Sequence, residues 1–373
     1  MKDIVFLELL RVSLWGSEPQ IPNDFKDWGK VFTLAKTQSV LSLVANAVLN
    51  DPKLSGQLAD GLKAKLKGHV MANMATHSML NNSVVQVVLA LDAAGISSVL
   101  LKGQALACNY PIPELRACGD IDIYVGSENY LRACDVLSAI ATWKEEGRPE
   151  DNVKHYDIRI GQTPVEIHRY SDVNASKYYD MIYQAYSDEG LSQGGRTMNF
   201  AGTVVNTPAD DFNAFYIFNH LWHHFLTSGI GLRQFCDWMM FLHVRQDEID
   251  RAKLKKIIED MNLMIPWQTF GCVLVDKLGL PEDEFPFYDA RRRGKVSKIM
   301  RIVFDEGNFG KEREMYKDRS GEGYYKRKMK SFFLYSGRSL QLFCMFPSHM
   351  LHQYWYVLYK GLSSVWRHLI KHR

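Results

Sequence analysis

The sequence contains no CxxC pair. Its six cysteines, Cys108, Cys118, Cys134, Cys236, Cys272 and Cys344, are scattered without paired spacing. They read as reduced thiols in a cytosolic protein, most of them core residues. No apolar run reaches the ~18 residues that a membrane-crossing helix needs. The N-terminal stretch MKDIVFLELLRVSLWG has an early acidic residue and polar breaks, which make it a poor signal peptide. No internal repeat or low-complexity segment stands out. A net charge of +3 is small and gives no argument for nucleic-acid binding.

What the chain does have is core material. Hydrophobic residues make up 46% and charged residues 23%, a globular and soluble balance. At 373 residues it is long enough for two or three packed units. Residues 1–95 read as helical. Leu58, Leu62, Leu66, Val70 and Met74 recur every four residues, and the pattern drifts on through Leu80, Val84, Val88 and Leu91. That is a long amphipathic helix, with Gly95 as its stop.

The pattern changes over 96–207. SSVLL (97–101) is a short apolar run followed at once by KGQ. DIDIYV (120–125), HYDIRI (155–160) and PVEIHR (164–169) alternate as strands do, the last two forming a hairpin across a short loop. Ser127 is placed to cap a following helix, and RTMNFAGTVVNT (196–207) suggests a further strand pair. From 208 to 373 the chain turns helical again. The charged stretch 305–330 reads as an exposed connection, and the tail from Ser348 as a basic, aromatic helix.

Residues two apart on a strand share a face, roughly 7 Å apart. If Ile121, Ile123 and Val125 face the core, Asp120 and Asp122 share the opposite side. By the same alternation Glu166 and His168 point away from the core, as do His155, Asp157 and Arg159. A polar face is the ordinary state of a half-solvated sheet. Yet Asp is a poor strand former, and two like charges on one face repel unless a cation bridges them. Hard oxygen ligands of this kind suit Mg²⁺ or Mn²⁺, which also bind substrate phosphates. Just upstream, VLLKGQAL ends a strand, turns at Gly103 and begins a helix, a place where backbone N–H groups and Lys102 attract phosphate.

These residues, LLKG, then DIDIYV, then VEIH, resemble the nucleotidyltransferase superfamily with the DNA-polymerase-β-like fold. With the later H…HH and LRQFCD they resemble more closely a bacterial family of uncharacterised nucleotidyltransferases, often found near surface-polysaccharide genes. The likeness spans about residues 30–245. It implies that Asp120 and Asp122 hold metal ions, that Glu166 binds the catalytic one, and that Gly103 with its neighbours Lys102 and Gln104 holds the outer phosphates. Arg116, His168 and Arg233 join the nucleotide site on the same grounds. Gln104 stands where the superfamily carries a second Gly or a Ser, and the gap from Gly103 to Asp120 is longer than usual.

In HLWHHF, His220, His223 and His224 lie on one helix face. The spacing permits zinc, but a packed or site-facing helix is the simpler account. Arg233 and Asp237, four apart, can pair with each other or serve the site.

The expectation is therefore an α+β protein: a small mixed sheet of nucleotidyltransferase type (96–207) between helical segments 1–95 and 208–373. It would be a cytoplasmic, Mg²⁺- or Mn²⁺-dependent enzyme moving a nucleoside monophosphate from a nucleoside triphosphate to an unknown acceptor hydroxyl. Its rivals are a nucleotide-binding regulator without chemistry, a scaffold touching membranes weakly through the basic C-terminal helix, and a hydrolase using water as acceptor.

Overall fold

The computed structural model describes residues 1–192, 195–308 and 323–371. It is an α+β fold in which one mixed seven-stranded sheet sits between helical segments. The chain starts with helices α1 (Lys2–Trp15), α2 (Trp28–Thr37), α3 (Leu41–Asn50) and α4 (Pro52–Gly56). The Asp51 carboxylate caps α4 by accepting from the N–H groups of Lys53 and Leu54, and Pro52 occupies the first turn, where no N–H is needed. Helix α5 (Asp60–Ala93) is about 51 Å long at 1.5 Å per residue. It stops before Gly95, whose φ of 67° turns the chain toward the sheet.

The strands are β1 (Val99–Leu101), β2 (Ile121–Tyr124), β3 (Trp143–Lys144), β4 (His155–Ile160), β5 (Thr163–His168), β6 (Thr197–Phe200) and β7 (Thr203–Asn206), in the order β3-β4-β5-β2-β1-β7-β6. Strand β2 runs antiparallel to β1 and parallel to β5, so its carboxylates lie at the centre of the sheet. Helix α6 (Gly103–Ala107) follows β1, α7 (Gly126–Ser138) follows β2, and α8 (Lys177–Ser192) follows β5. Helix α7 begins at Gly126, so Ser127 lies inside its first turn rather than capping it. Gly126, at φ 75°, lets the chain leave the strand directly into the helix.

Two apolar clusters hold the molecule together. The sheet packs its inner face (Ile121, Ile123, Ile158, Val165, Ile167) against Leu80, Val84, Val88 and Leu91 of α5 and Leu137 of α7. The larger cluster joins α1–α4 to α9 (Asp210–Leu226), α10 (Leu232–Arg245), α11 (Arg251–Asp260), α12 (Met264–Val273) and α13 (Val296–Glu306). Helix α5 serves both: Leu66 enters the helical cluster, and the second half of the helix enters the sheet cluster.

Helices α14 (Tyr324–Phe343) and α15 (Pro347–Lys371) end the chain. Of the stretch 305–330, residues 309–322 lie outside the described residues, whereas 305–306 close α13 and 324–330 open α14. Among the described residues, no helix is long and apolar enough to cross a membrane.

Candidate active site

The polar face of the sheet looks toward α9 and α10, and the space between them is a cavity of about 220 Å³. Strand pairing sets its floor. Asp122 and Glu166 are direct neighbours in the parallel β2–β5 ladder, so both carboxylates rise from one face beside each other. Asp120, just before β2, lines the same cavity, as do Lys102, Gly103, Arg233, His220 and His224.

The turn after β1 is strained where it meets this floor. Lys102 adopts φ 42°, unusual for a residue with a side chain, and Gly103 follows at φ 43°. A Cβ at Gly103 would lie 3.3 Å from the Cys118 sulfur and 3.5 Å from the Asp120 carbonyl oxygen. Glycine is needed here on both counts, and it brings the turn against the approach to β2.

Charge balance within the site differs from a plain cluster of repelling acids. The Lys102 ammonium lies 3.0 Å from Asp122 Oδ1. His168 Nε2 lies 3.0 Å from the same oxygen and 3.1 Å from Glu166 Oε2, while its Nδ1 faces the Tyr170 carbonyl oxygen at 3.2 Å. Both ring nitrogens thus face oxygen acceptors, the pattern of an imidazolium that donates on both sides. Burial disfavours this charge, but the bonds to Asp122 and Glu166 outweigh it and raise the His168 pKa. Burial likewise works against the Asp122 carboxylate, yet Lys102 and His168 hold its pKa far below the usual range. Glu166 is also lowered, with burial opposed by its bond to His168. Asp120 alone of the three is raised, by burial and then by the charge of Asp122.

Three residues assigned to the phosphates are engaged with protein partners, although Lys102 and Arg116 both line the cavity. Lys102 bonds to a carboxylate rather than standing open toward phosphate, because the acids recruit the nearest cation. Arg116 is buried and forms a two-pronged pair with Asp237, Nε to Oδ1 at 2.7 Å and Nη2 to Oδ2 at 2.8 Å. Its charge is engaged in tying the loop before β2 to α10, with the Tyr110 hydroxyl donating to the same carboxylate at 2.7 Å. The Gln104 side chain turns away from the cavity, its amide donating to Asn81 Oδ1 at 2.5 Å and to the His77 carbonyl oxygen on α5. The five-residue α6 after it is too short to offer much of a dipole.

Asp237 is thus taken by Arg116, and Arg233 does not pair with it. Arg233 donates through Nη1 to the Ala117 carbonyl oxygen at 2.9 Å, and its buried Nε has no hydrogen-bond partner. It remains on the cavity wall, aimed at whatever fills it. Of the histidines on α9, His220 and His224 line this cavity, whereas His223 lines a separate one with Asn219 and His349. His220 and His224 stand ring to ring at 4.4 Å. Burial lowers the pKa of both, that of His224 to about 3.

Lys154 and His155 also line the cavity, though neither was assigned to the site from the sequence. Lys154 bonds the buried Asp172 at 2.9 Å, and His155 Nδ1 lies 3.6 Å from Glu166 Oε2. The alternation of HYDIRI placed His155 on the carboxylate face, which was the available signal. Among the described residues, His155, Glu166 and His168 bring three ligand atoms within 4.8 Å of one another. The buried His155 Nδ1 and Asp157 Oδ1 have no hydrogen-bond partner. The carboxylates of Asp120, Asp122 and Glu166, gathered on one cavity with the unpartnered His155 Nδ1, fit a divalent cation.

No curated protein matches the chain. Among solved structures, an antigenic nucleotidyltransferase-like protein from Paracoccidioides brasiliensis matches at 11% identity and a TM-score of 0.30, covering 62% of this chain and 92% of the other. The family model described as uncharacterised nucleotidyltransferase matches residues 24–269, which takes in the sheet, the glycine turn and the α9–α10 wall. The chain belongs to the uncharacterised nucleotidyltransferase family.

Proposed function

We propose that the protein transfers a nucleoside monophosphate from a nucleoside triphosphate to an acceptor hydroxyl, with a divalent cation held by Asp120, Asp122 and Glu166. The observation that carries this reading is the direct pairing of Asp122 with Glu166 on the floor of the cavity, with Asp120 beside them. When bound, a Mg²⁺ or Mn²⁺ ion supplies charge neutralisation for the phosphates and lowers the pKa of the acceptor hydroxyl. Arg233, with its unpartnered Nε, binds the outer phosphates across from the Gly103 turn. Lys102 moves from Asp122 to the same phosphates once the carboxylate has another cation to face. The acceptor oxygen bonds to the α-phosphorus, the bridging P–O bond breaks, and pyrophosphate leaves. Asp120, beside the other two carboxylates, takes the hydroxyl proton. His155 stands beside Glu166, its Nδ1 3.6 Å from Oε2, open to the cavity.

The acceptor we propose is a saccharide hydroxyl, on the strength of the family likeness stated above. A second reading, nucleotide binding without chemistry, has one observation in its favour: Asp122 is already neutralised by Lys102 and His168. Turnover of an α-labelled triphosphate with and without Mg²⁺, over a panel of sugars and sugar phosphates, separates the two. Transfer of label that requires the metal and falls steeply in Glu166→Gln, with triphosphate binding kept, supports the enzyme. Tight binding with no transfer to any acceptor or to water supports the regulator.

A further inference from the structure

The two C-terminal helices carry a surface that the cavity chemistry does not use. At their base they are anchored to the body: Leu342, Met345, Phe346 and Met350 enter the large apolar cluster, and Arg338 pairs with Glu306 at 2.6 Å. Away from that base the apolar side chains turn outward. On α15, Leu351, Trp355, Tyr359, Leu362 and Trp366 follow one another at spacings of four, four, three and four, which places them on one helix face. All five are exposed, Trp355 at 61% and Trp366 at 66%. On α14, Met329, Phe332, Phe333, Leu340 and Phe343 form a matching exposed stripe. Between the helices runs an apolar groove of about 610 Å³. A soluble protein seldom leaves such a continuous apolar face uncovered.

Charge says what covers it. Residues 323–373 hold nine Lys and Arg and not one Asp or Glu. The preceding 322 residues carry the other 36 basic residues against all 42 acidic ones. The positive charge of the whole chain is therefore concentrated on the segment with the exposed aromatics. Two copies of such a surface would repel each other, whereas a surface of opposite sign would attract it. Tryptophan and tyrosine rings suit the boundary between lipid headgroups and acyl chains, and flanking basic residues suit the headgroups. Lys326 and Lys330, both exposed, flank the α14 stripe on one side.

We propose that the α14–α15 hairpin lies flat on an anionic lipid surface, its aromatic stripes in the headgroup boundary and its exposed lysines, Lys326 and Lys330, on the headgroups. The site then works at the membrane face with none of the described helices crossing it.

The test is co-sedimentation of the full-length protein with vesicles of phosphatidylcholine alone and of phosphatidylcholine with 30% phosphatidylglycerol. The expected result is partition onto the anionic vesicles at least tenfold stronger than onto the neutral ones, falling as NaCl is raised. Lys326→Gln with Lys330→Gln should weaken that partition about thirtyfold, from the usual contribution of a basic residue at such a surface. Trp355→Glu with Trp366→Glu should weaken it at least tenfold at any salt concentration. Far-UV circular dichroism and triphosphate binding of both variants should match the parent, since neither pair touches the cavity. Equal partition onto both vesicle types, no partition, or Trp variants that bind like the parent would overturn the proposal. So would a parent dimer in gel filtration that the Trp substitutions dissolve, which would assign the stripes to a second copy.

Discussion

Asp237→Ala should destabilise the protein by about 3–5 kcal/mol, the usual cost of removing one partner from a buried ion pair. Asp237 and Arg116 are both nearly inaccessible, 5% and 4% exposed. The carboxylate accepts two bonds from the guanidinium and one from the Tyr110 hydroxyl. With it gone, the guanidinium keeps only a long contact, 3.4 Å, to the Ala117 carbonyl oxygen, and stays in the protein interior. The Tyr110 hydroxyl loses its acceptor as well, at roughly 1–3 kcal/mol for an unsatisfied buried group. Urea unfolding at neutral pH should then show a midpoint lower by roughly 1–2 M. Replacing both partners, Arg116→Met with Asp237→Leu, should recover most of the loss, because no charge is left buried. An Asp237→Ala variant within about 1 kcal/mol of the parent would refute the reasoning and would free Arg116 to serve the phosphates.

Other outcomes follow from the same geometry. Histidine 224 is neutral in the fold with its pKa near 3, so the unfolded chain binds a proton that the fold rejects between about pH 6.5 and 3. Its contribution is present above pH 6.5 and lost as pH falls, and His224→Gln should flatten the urea-measured stability slope below pH 6.5 by about 1.4 kcal/mol per pH unit. Gln104→Leu should leave triphosphate affinity within twofold by calorimetry, while costing about 1–2 kcal/mol through the lost bonds to Asn81 and His77. Gly103→Ala, which forces a Cβ against Cys118 at a left-handed backbone position, should cost about 1–3 kcal/mol in thermal unfolding and weaken triphosphate binding at least tenfold. A Gly103→Ala variant that binds like the parent would remove the turn from the site.

The carboxylate face was legible in the sequence because strand periodicity is a strong local signal. Ile121, Ile123, Val165 and Ile167 could go only inward, and that forced Asp122 and Glu166 outward together. The short strand β1, the hairpin of β4 and β5, and the end of α5 at Gly95 were readable for the same reason. Partnerships between distant segments were not. Arg116 and Asp237 are 121 residues apart, and nothing near either one says that they meet. Proximity along the helix suggested Arg233 for Asp237 instead. Gln104 looked like part of the turn because it follows Gly103, but side-chain direction depends on where α5 packs. His168 was expected on the same face as Glu166; that it also reaches Asp122 depends on the parallel pairing of β2 with β5, which no local pattern encodes.

The large helical cluster has a consequence for the order in which the chain is made. Its parts come from both ends of the sequence: Phe6 on α1 packs its ring on Phe304 of α13, and Gln38 bonds to the Val303 carbonyl oxygen and the Leu232 N–H. Helices α1–α4 leave the ribosome about 160 residues before α9, or roughly 10–30 s earlier at ordinary rates of synthesis. During that interval they can pack only on one another and on the first half of α5, and the faces they turn toward α9 and α13 have no partner. The sheet, built from consecutive residues 99–206, can close against the second half of α5 without waiting. Nascent chains should therefore hold a protease-resistant sheet while their first 50 residues are still digestible, and that early stretch is where a chaperone would bind.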